Sequence, residues 1–147
     1  MEEWLNNVKK INRFNIRVYG LVINDHNELL LCKEQLKGIE FTKFPGGGLE
    51  FGEGIKDCLI REFKEELNCD IDILAHFYTT DFFQQSAFIN EDQIISIYYK
   101  VKLRSEILNY ETHFENSNLH FHWKNLGALT ENDITFPIDK VVLKMLL

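Results

Sequence analysis

Three glutamates within one predicted helix are the residues of this sequence best placed to do chemistry. Glu62, Glu65 and Glu66 are three and four residues apart in the helical pattern of residues 54–67. Each residue of an α-helix advances about 100°, so the three carboxylates share one face roughly 100° wide. Like charges at this spacing repel one another by a few tenths of a kcal/mol per pair. A divalent cation would turn the repulsion into attraction, and Mg²⁺ prefers such oxygen ligands.

The same residues also have an ordinary explanation, and taken alone they leave both readings open. Glutamate-rich helices often present a solvated surface that binds no ligand. The glycine run 46–48 before the helix is equally ambiguous, because such runs more often form a turn than a phosphate-binding loop. The order of the residues along the chain is what favours a site.

The other faces of this helix are predicted to pack against the protein or to meet solvent. An apolar arc is expected to face the core: Leu59, Ile60, Phe63 and Leu67. A charged arc is expected to face solvent: Asp57, Arg61 and Lys64. The helix would therefore be anchored on one side and carry its carboxylates on another.

Strands on both sides of the helix are predicted to position it. Apolar or alternating runs predict strands at 16–23, 28–32, 69–83, 94–103 and 119–126. Turn residues between the first two runs predict a hairpin, while 33–43 and 105–118 are predicted to be polar connections. Pro137 predicts the start of a last helix, and apolar spacing predicts an N-terminal docking helix over 3–13. This order of elements indicates a mixed α/β domain.

Composition and charge narrow the class of protein. The 147 residues suffice for one domain with a hydrophobic core. The net charge of −7 argues against DNA or RNA polymers as partners, because binding them needs a basic surface. The sequence has neither an apolar run of the roughly 20 residues a membrane span needs nor a leader pattern, so neither a membrane partner nor a signal peptide is expected. Cys32, Cys58 and Cys69 form no CxxC pair and predict reduced thiols in a cytoplasmic protein.

The stretch 47–69 resembles the Nudix box of the Nudix hydrolase (MutT-like) family. The box reads G-x5-E-x7-R-E-U-x-E-E-x-G-U, where U is a bulky aliphatic residue. Its six fixed polar or glycine positions are all matched here, by Gly47, Glu53, Arg61, Glu62, Glu65 and Glu66. Two positions depart, because Asn68 stands in place of glycine and Cys69 in place of the aliphatic residue. The departures concern the exit of the helix and not the expected metal ligands.

This resemblance implies a fold and an activity. The family fold is an α/β/α sandwich around a mixed β-sheet, which would make 1–147 a single domain with its box at 47–69. Family members hydrolyse nucleoside diphosphates linked to another moiety, with Mg²⁺ or Mn²⁺, and many are homodimers. The implied function is hydrolysis of a phosphoanhydride bond in a small nucleotide or nucleotide-sugar, with water as nucleophile. The alternatives are a non-catalytic nucleotide-binding sensor of the same family and an interaction module whose match is accidental.

The resemblance assigns the metal chemistry to particular residues. Glu62, Glu65 and Glu66 would hold the metal, with help from a backbone carbonyl of Gly46 or Gly47. A pyrophosphate would be repelled by this acidic protein unless a cation screened the charge. Either Glu65 or Glu66 would orient or deprotonate the attacking water. Glycine suits its positions because a side chain there would obstruct the carbonyl.

Supporting residues follow from the resemblance as well. Glu53 and Arg61 would form a salt bridge that fixes the loop against the helix, the alternative being a surface ion pair worth little. Many relatives add a carboxylate from a loop before the last strand, where this chain has Glu111 and Glu115. Either would serve as a further metal ligand or base, unless both are solvated loop residues.

Residues for binding the rest of the substrate are the least defined. Lys33 and Lys43 are candidates for contacts with phosphate, the alternative for each being a surface lysine. Five aromatic residues are candidates for stacking on a base or for core packing: Phe82, Phe83, Phe88, Tyr98 and Tyr99. Residues 84–86 lack the signature proline or tyrosine that some subfamilies carry there, so the sequence does not name the substrate.

Overall fold

A computed structural model describes residues 2, 3, 5 and 10–147 of the chain. The strands are β1 (Arg13–Val22), β2 (Glu28–Leu36), β3 (Ile39–Lys43), β4 (Gly46–Gly48), β5 (Ile71–Thr79), β6 (Asp92–Leu103), β7 (Glu111–Phe114) and β8 (Ser117–Asn125). The helices are α1 (Ile55–Leu67) and α2 (Pro137–Leu146). Of the predicted docking helix over 3–13, residues 4 and 6–9 lie outside the described residues, and residues 3 and 5 are helical. Its predicted end is wrong, because Lys10 lies in a turn and β1 begins at Arg13. The single domain over the whole chain stays a prediction.

The strands form two four-stranded sheets. Their orders are β4-β1-β6-β5 and β3-β2-β8-β7. β1 runs parallel to β6, whereas the other pairings are antiparallel, so the first sheet is mixed. β1 and β2 lead into different sheets and share only the isolated bridge between Ile23 and Leu29. The predicted hairpin is therefore wrong beyond its turn, because each of these strands is buried and pairs along its length with other strands.

Two apolar layers hold the sheets and helices together. Alternate side chains of β1 and β2 point to opposite faces, and residues 18–22 of β1 and 29–32 of β2 are buried on both faces. One layer contains α1 and includes Val18, Leu30, Leu59 and Phe63. The other contains α2 and includes Tyr19, Leu29, Ile138 and Val142. Each fully buried side chain of this kind contributes roughly 1.5–3 kcal/mol. The predicted fold class, an α/β/α sandwich, is confirmed.

Helix α1 ends where the sequence predicts. Asn68 adopts the left-handed conformation (φ 52°, ψ 35°), and its backbone N–H donates to the Lys64 carbonyl at 3.1 Å. Leu59, Phe63 and Leu67 are buried as predicted. Ile60 is 44% exposed, so its predicted burial is wrong; it lies at the edge of the apolar arc, beside the solvent face.

Two predicted connections contain strands. Within 33–43, β2 continues to Leu36 and a tight turn at Lys37 and Gly38, both with positive φ, leads into β3. Within 105–118, β7 pairs with β8. Both were hidden because these strands expose alternate side chains and so carry many polar residues. No helix in the described part of the chain is long and apolar enough to cross a membrane.

Candidate active site

Arg61 fastens the loop before α1 to the helix. Its Nε donates to Glu53 Oε2 at 2.9 Å, and its Nη2 donates to Glu53 Oε1 at 2.7 Å and to the Gly48 carbonyl at 3.1 Å. The guanidinium lowers the pKa of Glu53 to about 2, helped by the Glu50 N–H. The predicted salt bridge is thus present. Arg61 itself is only partly exposed, so its predicted place on the solvent face is wrong, because its side chain reaches back across the loop.

The three predicted ligands lie together on one side of α1. Glu62 and Glu66 are buried, at 7% and 6% exposure, whereas Glu65 is exposed. Arg61 Nη1 donates to Glu62 at 3.0 Å and to Glu65 at 3.1 Å. Within residues 2, 3, 5 and 10–147, no three acidic, His or Cys side chains already converge as a metal-ligand group. The carboxylates share a pocket, but two of them are engaged by an arginine.

Burial makes Glu66 the most perturbed of these carboxylates. It raises the pKa of Glu66 to about 8, and the neighbouring Glu62 acts in the same direction. Lys43 opposes the shift without cancelling it. Besides Glu66, five carboxylates line the pocket against three cations, so its described side chains carry more negative than positive charge.

Two glycines let β4 approach the carboxylates and β1 closely. A Cβ on Gly47 would lie 2.5 Å from the carboxylate of Glu62. A Cβ on Gly46, whose φ is 147°, would overlap the carbonyl of Val18. The Gly46 carbonyl, a predicted metal contact, accepts a hydrogen bond from Lys43 Nζ at 3.2 Å.

The two predicted phosphate-binding lysines have different places. Lys43 is 4% exposed and its Nζ lies 3.3 Å from Glu34 Oε1, so it is not a surface lysine. Lys33 is exposed, lies 3.7 Å from Glu40, and lines a separate depression away from the carboxylates. Of the two, only Lys43 lines the carboxylate pocket.

The two loop carboxylates are also separated by the fold. Glu115 occupies the turn between β7 and β8 with a φ of 56° and lines the pocket with Glu62, Glu65 and Glu66. Glu111 is 77% exposed, and its Oε1 lies 3.0 Å from His120 Nδ1, outside that pocket. The structure thus brings Glu115, and not Glu111, to the predicted ligands.

A second cavity, of about 270 Å³, adjoins the carboxylate pocket. Phe41, Phe88 and Phe136 pack together in its wall with ring centroids 5.2–5.9 Å apart. Of the five aromatic candidates, Phe88 and Tyr98 line this cavity. Its lining combines eleven apolar or aromatic residues with nine polar or charged ones, so it can hold an apolar ring and also bind polar groups.

A buried carboxylate lies in the wall of this cavity. Asp139, in the first turn of α2, is 2% exposed and accepts a hydrogen bond from the Tyr98 hydroxyl. Burial raises the pKa of Asp139 to about 6. Asp139 is not evident from the sequence pattern alone, although an aspartate within the largely apolar stretch IDKVVL is a signal that could have identified it.

Three residues line both the cavity and the carboxylate pocket: Arg17, Glu34 and Lys43. Arg17 is a charged residue within the apolar strand run IRVYGLVI. This interruption is the sequence signal that could have identified it. The pKa of Arg17 is raised above its usual value by its neighbours, first the Tyr19 hydroxyl and then the carboxylates of Glu62 and Glu34. Arg17 therefore remains a cation. An elongated ligand that occupied both spaces would pass these three side chains.

Comparison with known proteins agrees with this fold. A model of the NUDIX domain family matches residues 13–143. The chain is 32% identical to an 8-oxo-dGTP diphosphatase of Proteus vulgaris over 85 residues, which cover 49% of this chain and 76% of that protein. Its fold is similar to a Nudix hydrolase of Nitrosomonas europaea (TM-score 0.73, 17% identity, 90% and 87% of the two chains covered). It is also similar to a MutT Nudix hydrolase of Burkholderia pseudomallei (TM-score 0.72, 14% identity, 92% and 100% covered).

Because the family match spans most of the chain, the chain belongs to the Nudix family. Within that family it is a MutT-like pyrophosphohydrolase, and its predicted membership is confirmed.

Proposed function

We propose that this enzyme hydrolyses a phosphoanhydride bond of a small nucleotide, with Mg²⁺ or Mn²⁺ held by Glu62, Glu65 and Glu66. The observation that carries the proposal is the junction of two spaces. The carboxylate pocket opens beside an aromatic-lined cavity of about 270 Å³, close to the lower size of small-ligand sites. The cavity suits a nucleoside, and the carboxylates suit metal-bound phosphates. Similarity to an 8-oxo-dGTP diphosphatase supports a nucleoside triphosphate as substrate.

The residues present fit a hard divalent cation. The pocket offers only oxygen ligands from side chains, and its carboxylates outnumber its cations. When bound, such a cation neutralises phosphate oxygens and makes a bound water more acidic. The carboxylate oxygens that do not accept from Arg61, Glu62 Oε2 and Glu65 Oε1, would be the ones to bind the cation. Arg61 keeps its place because Glu53 holds two of its nitrogens.

Proton transfer from the attacking water falls to Glu65 or Glu66. A general base works best with a pKa near the working pH, which favours the buried Glu66. Glu65 is the more accessible to water. Glu115 is the candidate for an additional ligand, since it lines the same pocket. We also propose a cytoplasmic location, where the three buried thiols would stay reduced.

Three glutamine variants test the proposal. Glu65→Gln and Glu66→Gln should each lose at least about 100-fold in release of nucleoside monophosphate with Mg²⁺, since each removes a charge that acts on the reacting groups. Glu111→Gln is the matched control, since its carboxylate lies outside the pocket, and it should keep wild-type activity. Unchanged activity in both pocket variants would contradict the mechanism. Tight nucleotide binding without hydrolysis in the wild type would favour the sensor instead.

A further inference from the structure

We propose that Arg17 binds the phosphate group nearest the nucleoside, at the junction between the cavity and the carboxylate pocket. The inference rests on the proposed function and adds to it a residue that lies outside the Nudix box. Arg17 belongs to β1 and is paired in register with Gly48 of β4. Its strand is the inner neighbour of β4, and Arg17 lines both spaces.

The guanidinium of Arg17 is held in place by one of its nitrogens. Its Nε donates to the Tyr19 hydroxyl at 2.7 Å, and its central carbon lies 5.7 Å from the centre of the Tyr19 ring. In the part of the chain that the structure describes, neither Nη atom has a hydrogen-bond acceptor. No carboxylate of the described residues lies within salt-bridge distance of it either. Two Nη groups are thus left to donate to a ligand.

The other cations of the pocket are already engaged. Lys43 Nζ contacts Glu34 and the Gly46 carbonyl. Arg61 donates to Glu53, to the Gly48 carbonyl and to Glu62 and Glu65 of α1. Of these three cations, Arg17 is the one with donors to spare among the described residues. A guanidinium donates two parallel N–H bonds and so matches a phosphate better than an ammonium group does.

The position of Arg17 determines which phosphate it would meet. A nucleotide with its base in the cavity and its terminal phosphates at the carboxylates has its first phosphate at the junction. Arg17, Glu34 and Lys43 line that junction, and Glu34 is paired with Lys43. The competing explanation is structural: Arg17 would only balance the negative charge of Glu62 and Glu34.

Binding of inorganic pyrophosphate with Ca²⁺ in place of Mg²⁺ separates the two explanations without nucleotide turnover, because the cation screens the carboxylates. Calorimetry should show at least a ten-fold weaker affinity for Arg17→Gln than for the wild type. Arg104→Gln is the matched control, because Arg104 is an exposed arginine outside both spaces, and it should bind as the wild type does. Equal affinities of Arg17→Gln and Arg104→Gln, or no binding by the wild type, would overturn the proposal.

Arg17→Lys separates a guanidinium contact from a simple need for charge, and it serves if Arg17→Gln fails to fold. Phosphate binding by the guanidinium predicts a several-fold loss of pyrophosphate affinity with an unchanged melting temperature. A charge-balancing role predicts wild-type affinity and overturns the proposal. In turnover with Mg²⁺, Arg17→Lys should raise KM more than it lowers kcat. If the wild type hydrolyses no nucleotide, the proposed function fails, whereas the pyrophosphate result still decides the role of Arg17.

Discussion

Gly47 of β4 packs directly against the carboxylate of Glu62. Its missing side chain leaves room for the carboxylate of Glu62, which would lie 2.5 Å from an added Cβ. The end of a glutamate side chain can move aside, so the fold should survive a substitution. The carboxylate of Glu62 would nevertheless be displaced from its position in the pocket. The glycine is therefore explained by the site rather than by the backbone.

We expect Gly47→Ala to lower kcat/KM by about 100-fold, because a displacement of roughly 1 Å in a catalytic group can have that effect. The melting temperature should change little. Gly127→Ala is the control, since its Cβ would meet only Asn125 Oδ1, at 3.2 Å, outside both spaces. Steady-state kinetics and thermal unfolding measure both. Similar activities of the two variants would contradict this role of Gly47.

Asp139 gives the protein a pH-dependent stability. Burial raises its pKa in the folded protein to about 6 from 3.8, so the folded state binds its proton more tightly than the unfolded state does. Its contribution to stability is full at low pH and is lost as the pH rises through 6, by at most about 3 kcal/mol. Asp139→Asn should therefore be more stable than the wild type at pH 7.5, with an advantage that disappears near pH 4. Urea unfolding across this range tests it, and parallel profiles would contradict it.

At this scale the sequence predicts residues that belong to a motif and misses those that act through burial. Glu53 and Arg61 were paired correctly because their spacing is part of the box. Arg17 was missed because its strand run predicts only that the segment is buried. For Lys43, the sequence leaves both a phosphate contact and a surface position open. Nothing in the sequence shows that its ammonium group lies 3.3 Å from a carboxylate oxygen of Glu34.

At the scale of elements, Asn68 replaces the glycine that the family pattern has at the end of α1. The position requires the left-handed conformation, which asparagine tolerates better than other residues with a side chain. Asn68→Ala should lower the free energy of unfolding by about 1–2 kcal/mol, whereas Asn68→Gly should leave it unchanged or raise it. Chemical denaturation compares the three. An alanine variant as stable as the wild type would contradict this explanation of the helix end.

The reliability of predicting an element depends on how it is buried. Helix α1 and the most deeply buried strands can be predicted from apolar residues at regular spacing. β3 and β7 lie at the edges of their sheet and expose alternate side chains, so their polar composition predicts loops. The separation of β1 from β2 depends on pairings with β6 and β8, which are distant in sequence. No local pattern reports such pairings.

At the scale of the whole molecule, the net charge of −7 makes bound cations stabilising. Mg²⁺ should raise the melting temperature of the wild type. At 100 times its Kd, it should add about 2.7 kcal/mol to the free energy of unfolding. EDTA should reverse the effect, and NaCl of equal ionic strength should not reproduce it. Glu66→Gln should reduce the shift, whereas Glu111→Gln should keep it. A wild type that Mg²⁺ and Mn²⁺ fail to stabilise would contradict the proposed metal site.

The three free cysteines are all buried, one in β2, one in α1 and one just past its end. Burial raises the pKa of Cys32 and of Cys58 to about 12, so neither forms a reactive thiolate at neutral pH in the folded protein. A thiol reagent can therefore modify them only when the surrounding structure opens. The rate of labelling would report how often α1 lifts from the sheet, and substrate that holds the helix down should slow it. The rate of thiol labelling thus measures local opening of the structure around the active-site helix.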